Sequence, residues 1–244
     1  MPERLDKFLT SQNICTRKEA ARLVRSGLVL LNGQQAHSPA QKLDPQTEQV
    51  TVEGQPIEYR RYTYIMMNKP AGVLSATEDL RTPTVLGLLP PSLCRRGLFP
   101  AGRLDKDTTG LLLLTDDGPW AHKMLAPKSH VYKLYRAQLQ APITPEDITA
   151  FEKGVAQGGV TFAPAKLYTL PGEDPLAAYV EIREGKFHQV KRMFQAIGNQ
   201  VLGLTRLRIG ALCLDATLPL GACRLLTEEE ALKVFQSPEP PEKP

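Results

Sequence analysis

The chain has 244 residues, 42% hydrophobic and 23% charged, with a net charge of +4 at pH 7, which supports a sizeable core in one or two domains. No run approaches the ~18 apolar residues of a spanning helix, and the opening MPERLDKFL has no apolar stretch behind its charges, so a cytoplasmic protein without membrane attachment is expected. Cys15, Cys94, Cys213 and Cys223 form no CxxC pair and His37, His122, His130 and His188 are scattered, so no metal site is expected and the thiols read as reduced packing residues. The mean charge argues only weakly for a polyanionic partner. Its distribution argues better: residues 1–43 hold seven Lys/Arg against three acids, and residues 183–208 hold six against one.

Residues 1–60 read as a separate module with its linker. Leu5, Phe8 and Leu9 stand at helical spacing after Pro2, which predicts a short first helix. A second is marked by the capping box Thr16 and Glu19, by the stripe Ala20, Leu23 and Val24, and by Gly27 as its end. Lys18, Arg22 and Arg25 share its exposed face, which on an isolated helix is an ordinary solvated surface. Leu28 to Leu31 then runs into Asn32-Gly33, a two-residue hairpin signal. Helix, basic helix, then hairpin resembles the small RNA-binding domain shared with ribosomal protein S-four. That resemblance implies that Lys18, Arg22 and Arg25 contact phosphates. From about Pro45 to Arg61 a further short strand and a linker are expected.

Residues 61–235 read as a second, larger, strand-rich domain. Strands are predicted at Tyr62–Met67, entering Asn68-Lys69-Pro70, and at Leu111–Leu114, Lys133–Leu139, Ala177–Arg183 and Val201–Arg208. One helix places Val190, Met193, Phe194 and Ile197 on a single stripe and stops at Gly198. A last helix starts at Thr227 with Glu230 in the capping-box position. A mixed sheet with segregated helices gives an α+β fold class, and residues 236–244 are expected to be a disordered tail.

The run AGRLDKDTTGLLLLTDDG, residues 101–118, carries the strongest functional signal. Gly110 opens an apolar run that suits a strand covered on both faces, which puts Asp105 on a polar loop at its mouth. By turn chemistry alone such an aspartate is a cap or turn former. The wording of the run resembles the catalytic-aspartate motif of RNA pseudouridine synthases, in the version of the ribosomal small-subunit pseudouridine synthase A family. MMNKPAGVLS at 66–75, YKLYRAQL at 132–139 and EGKFHQVKRMFQAIGNQV at 184–201 resemble that family too. The likeness runs from about the first residue to about residue 232.

The resemblance implies that a uridine of ribosomal RNA is isomerised to pseudouridine with no cofactor, by a monomer acting on free RNA or an assembling particle. It gives Asp105 the carboxylate role at the sugar, either attacking the anomeric carbon or assisting proton removal from the ribose. It makes Tyr135, in Lys133-Leu134-Tyr135, the residue that stacks on the base and handles its proton, although a strand tyrosine is by itself ordinary core. Arg103 corresponds to a residue that displaces the target nucleotide from its helix, the alternative being a salt bridge to Asp107. A carboxylate enclosed with a base needs a cation to stay ionised. At ~100° per residue, Lys191 flanks the apolar stripe and is the expected partner, or else a snorkelling helix lysine. Arg192 points nearly opposite and reads as RNA- or solvent-facing, as does His188, which stays open between packing and function. Lys69 and Gly72 read as structural, and Asp107, Asp116 and Asp117 as turn or capping carboxylates. Lys186-Phe187 stands where the family commonly has arginine and tyrosine. Two other readings compete: a non-catalytic RNA-binding assembly factor, and a hydrolase that would need a second paired carboxylate. Within the family, a large-subunit RNA target is the alternative.

Overall fold

The computed structural model describes residues 2–237, so most of the expected tail (238–244) lies outside the described residues. The chain divides into two compact units, Met1–Thr63 with Pro90–Leu98, and Tyr64–Leu89 with Phe99–Pro244. The segment Pro90–Leu98 gives the first unit a second passage of the chain that a single boundary near residue 60 lacks. Arg95 holds it there, donating from Nη1 to the Arg60 carbonyl at 3.0 Å and the Thr63 hydroxyl at 2.8 Å.

In the first unit, α1 (Leu5–Ser11) and α2 (Arg17–Arg25) pack on a four-stranded antiparallel sheet. Its strands are β1 (Val29–Leu31), β2 (Gln34–Gln35), β3 (Val50–Val52) and β4 (Gln55–Ile57), in the order β2-β1-β3-β4. Both halves of the α2 capping box form, Thr16 N–H donating to the Glu19 carboxylate at 2.8 Å and Glu19 N–H to the Thr16 hydroxyl at 3.3 Å. Such caps stabilise a helix by about 1 kcal/mol. Asn32 and Gly33 both take positive φ, +51° and +78°, which is the turn that matches the twist of a two-residue hairpin. Leu5, Phe8, Leu9, Ala20, Val24 and Val29 form the buried seam between helices and sheet.

The second unit is built on a nine-stranded mixed sheet. Its main path uses β5 (Tyr64–Lys69), β6 (Thr109–Thr115), β7 (Lys133–Leu139), β10 (Lys166–Tyr168), β11 (Ala177–Ile182), β12 (Val201–Ile209) and β13 (Cys223–Leu225), with a small hairpin of β8 (Ala156–Gln157) and β9 (Val160–Thr161) outside it. The path order is β10-β11-β7-β12-β6-β5-β13, and the β12–β6 pair is parallel while its other pairs are antiparallel. The run of four leucines is central: Leu111–Leu114 are at most 1% exposed, because β6 is paired on both edges and covered on both faces. Along β7 burial alternates residue by residue, as its sequence pattern predicts. At the parallel junction Gly110 sits opposite Arg206 with φ +96°, and a Cβ there would come within 2.3 Å of the Arg206 carbonyl oxygen. Glycine is thus required where the polar loop enters the core.

Helix α5 (Gln189–Ala196) buries Val190, Met193 and Phe194, and Phe194 meets Phe151 with ring centroids 5.1 Å apart. Phe151 belongs to α4 (Pro145–Lys153), which with α3 (Gly118–Leu125) adds two helices that the strand-rich reading did not contain. Their signals were local. Asp117 caps α3 by accepting from Trp120 N–H at 3.0 Å and is fixed by the Tyr64 hydroxyl at 2.7 Å. Thr144 and Asp147 form the α4 capping box, with aspartate where glutamate is more familiar. The last helix, α6 (Glu228–Leu232), starts at Thr227 and carries the expected box with Glu230. Among the described residues no helix is long and apolar enough to cross a membrane.

Candidate active site

The loop between Ala101 and Gly110 is held from below by one side chain. Lys69, at the end of β5, is fully buried. Its ammonium donates to the carbonyls of Pro70 at 3.0 Å, Asp105 at 3.1 Å, Lys106 at 3.3 Å and Thr108 at 3.0 Å. Burial pushes its pKa down to about 8 against the opposing pull of Asp107 and Asp105. Two neighbours complete the clamp. The Ser75 hydroxyl donates to the Leu104 carbonyl at 2.9 Å and accepts from Leu104 N–H at 3.1 Å, and Gly72 N–H donates to the Lys106 carbonyl at 2.8 Å. The backbone of 104–108 is therefore fixed by partners far away in sequence, which leaves the Asp105 side chain as the part that faces the cleft.

That cleft is lined by Arg103, Asp105, Tyr135, Lys186, His188 and Gln189, among others. The Asp105 carboxylate has Lys191 Nζ at 3.3 Å from one oxygen and His188 Nε2 at 3.6 Å from the other. Lys191 also donates to Asp107 at 2.5 Å, so one ammonium bridges two carboxylates of the loop. This hydrogen bond, with the charge behind it, holds the Asp107 carboxyl below the usual carboxylate range. Tyr135 is 7% exposed and its hydroxyl accepts from Arg206 Nη1 at 3.5 Å. Arg206 is itself buried and anchored by Nε on the Leu111 carbonyl at 2.7 Å. Lys133, two residues before Tyr135, is buried with its amine on the Val131 carbonyl at 3.0 Å, and burial lowers its pKa to about 8.

The structure brings together Asp105, Tyr135, Lys191, His188 and Arg103, three sequence segments converging on one cleft. Lys191 lies on the flank of the stripe as the helical wheel predicts, and His188 stands beside the carboxylate rather than in the core. Lys18, Arg22 and Arg25 are exposed on α2 in the first unit. Two readings are corrected. Arg192 is half-buried and turned onto the protein rather than outward: Nη2 donates to the Gln157 carbonyl at 2.6 Å and the guanidinium lies 5.2 Å from the centroid of the Phe162 ring. The hairpin β8–β9, absent from the sequence reading, covers that side of α5. Asp107 does sit in a turn, at 106–107, but its carboxylate is also an ion-pair partner of Lys191, and this replaces the alternative of a pair between Asp107 and Arg103, which is exposed in the cleft. Sequence reasoning missed Arg206, whose only local signal is a charge inside an otherwise strand-like run, and missed that Lys69 is the floor of the loop.

Independent likenesses decide the family. The family model described as RNA pseudouridylate synthase matches residues 63–196, more than half of the chain, and the S4 domain model matches residues 3–48. The chain belongs to the RNA pseudouridylate synthase family. An RNA pseudouridine synthase of Bacillus subtilis is 48% identical over 93% of this chain and 96% of its own length. The ribosomal small subunit pseudouridine synthase A of Vibrio cholerae is 44% identical over 96% of this chain and all of its own length. A crystal structure of a pseudouridylate synthase, 37% identical, superposes with a TM-score of 0.66 over 95% of this chain and 99% of the other. The synthase is thus an isomerase of uridine in RNA, preceded by an S4 RNA-binding domain, with an α+β fold.

Proposed function

We propose that this synthase isomerises a uridine of small-subunit ribosomal RNA, with Asp105 as the reacting carboxylate. The bond from the ribose anomeric carbon to N1 of uracil breaks, the base turns, the carbon forms a bond to C5, and the C5 proton is lost while N1 gains one. The change is internal to the nucleotide, so no redox partner or cofactor is needed. Asp105 acts at the sugar, by attack on the anomeric carbon or by assisting removal of a ribose proton. Lys191 sets a cation beside that carboxylate, Tyr135 stacks on the base and handles its proton, and Arg103 offsets the few kcal/mol of taking the nucleotide out of its helix. His188 borders the nucleotide at the carboxylate, while Arg192 acts through packing. Lys18, Arg22 and Arg25 contact phosphates. The protein works as a monomer in the cytoplasm.

The observation that carries this reading is a half-exposed carboxylate, Asp105, fixed by its backbone and flanked by Lys191 at 3.3 Å, in one cleft with Tyr135. The small-subunit target is supported by the name of the Vibrio cholerae relative, matched along its full length. The test is a map of pseudouridines in ribosomal RNA from a strain lacking the gene. One small-subunit site should be lost, and should return with the wild-type gene but not with Asp105→Asn. Loss of a large-subunit site instead would transfer the target to that RNA, and an unchanged map would overturn the proposal.

A further inference from the structure

We propose that Phe187 is a stacking platform for an unpaired base next to the target uridine, an inference that rests on Asp105 marking where the uridine reacts. A lone exposed phenylalanine is ordinary on a protein surface. Three features set this one apart. First, Phe187 is 74% exposed, yet one face of its ring is covered by His188, with centroids 3.8 Å apart and planes inclined by 18°. His188 in turn points Nε2 at Asp105, 3.6 Å away. Two nearly parallel rings therefore lead outward from the reacting carboxylate, and among the described residues the outer ring has no second ring stacked on it.

Second, the loop that displays the ring is pinned. The buried Gln189 accepts from Lys186 N–H at 3.0 Å and donates to Glu184 at 2.8 Å, and Glu184 accepts from Ala163 N–H at 2.9 Å. Lys186 Nζ donates to the Thr161 carbonyl at 2.7 Å. His188 is held at φ +50°, a conformation that side chains other than glycine adopt at a cost of about 1 kcal/mol or more. A ring fixed before binding loses little freedom on stacking, so more of the contact appears as affinity. Third, the exposed Arg103 and Lys186 line the same cleft as His188, Lys186 with its ammonium shared with Glu184 at 3.0 Å. A flat ring with a cationic rim suits a nucleobase on its phosphate chain, since unstacked bases are taken up on aromatic faces while cations track the backbone.

The test uses a ribosomal RNA fragment containing the target uridine, with 2-aminopurine placed in turn at each of three nucleotides on either side. Wild-type protein and Phe187→Tyr should quench the fluorescence at one of these positions, whereas Phe187→Leu should quench it at none and bind the fragment about tenfold more weakly. An abasic nucleotide at that position should weaken wild-type binding by a similar factor and add nothing to the loss in Phe187→Leu. Equal quenching by Phe187→Leu overturns the proposal. So does lost affinity with no quenched position, which would point to a partner other than a base, and so does slowed turnover with affinity and quenching unchanged, which would reduce the ring to a support for His188. Pseudouridine formation in the same samples reports separately on the target: a fragment bound and stacked but never converted overturns the proposed function and leaves the platform standing.

Discussion

The face of α2 and the floor of the cleft carry the same kinds of side chain in opposite surroundings. Lys18, Arg22 and Arg25 are exposed on one side of a short helix, where water and salt screen them. Lys69, Lys133 and Arg206 are buried, and each donates to at least one backbone carbonyl. The difference lies in what the charge is for. An exposed cation loses little on meeting a phosphate and gains by releasing counterions, which suits capture of RNA without reading it. A buried ammonium disfavours its own charge, so Lys69 and Lys133 contribute geometry, fixing the Asp105 loop and the start of the Tyr135 strand. Lys191 stands between the two cases, half-buried and shared by Asp105 and Asp107.

The largest break in this comparison should come from Lys69→Met. It removes the donor shared by three loop carbonyls and that of Pro70, and unsatisfied buried acceptors cost about 1–3 kcal/mol each without adding simply. Turnover should fall more than about 100-fold while RNA affinity is retained, since misplacement of a reacting group by an ångström has that effect. Near-normal turnover would return Lys69 to a passive core residue. Next in size, Lys191→Met should slow turnover by about tenfold or more through loss of the cation beside Asp105. Arg192→Met should lower stability by about 1–2 kcal/mol at the seam with β8–β9, by denaturant unfolding, and leave the salt dependence of RNA binding alone. A reduced salt slope in Arg192→Met would mean that its head leaves Gln157 to reach RNA.

Lys133 gives a pH test of comparable magnitude. Its pKa of about 8 in the native state lies below the ordinary 10.5, so between these values the unfolded chain holds a proton that the native state has lost. Stability therefore rises with pH across that window, and the cost of burying the charge is fully present below pH 8. Relative to Lys133→Met, the wild-type protein should gain about 2 kcal/mol between pH 7.5 and pH 9.5, and a constant difference would show that the amine is not desolvated. The smallest effect on the fold, and the clearest on the partner, belongs to the triple variant Lys18→Ala, Arg22→Ala, Arg25→Ala. Its stability should stay within about 0.5 kcal/mol of wild type, while the slope of log affinity against log salt falls by about two to three. An unchanged slope would make that face an ordinary solvated surface.

Much of this was legible in the sequence because its causes are local. The α2 and α6 capping boxes, the Asn32-Gly33 turn, the stripe of α5 and the leucine run of β6 each declare themselves within about ten residues. The wheel also placed Lys191 on the flank of the stripe, because the apolar residues orient the helix. What the sequence hid was made by distant partners. Arg192 was turned inward by a hairpin about 30 residues upstream whose strands are two residues long, too short for any periodicity. Lys69 reads as part of a turn until β5 pairs with β6 and sets it beneath a loop 36 to 39 positions away. Arg206 meets Leu111 and Tyr135 only through the parallel and antiparallel neighbours of β12. Asp107 could not be told from a turn carboxylate before the position of Lys191 was known.

The central claim is that, of the two carboxylates sharing Lys191, Asp105 reacts and Asp107 only helps to hold the lysine. Pseudouridine formation by purified Asp105→Asn and Asp107→Asn, side by side on one ribosomal RNA fragment, tests it most directly. Asp105→Asn should bind the fragment with near-normal affinity and form no pseudouridine, whereas Asp107→Asn should lose less than about tenfold, the size of an exposed ion pair of about 1 kcal/mol or less. Turnover by Asp105→Asn, or its abolition in Asp107→Asn alone, would contradict the account.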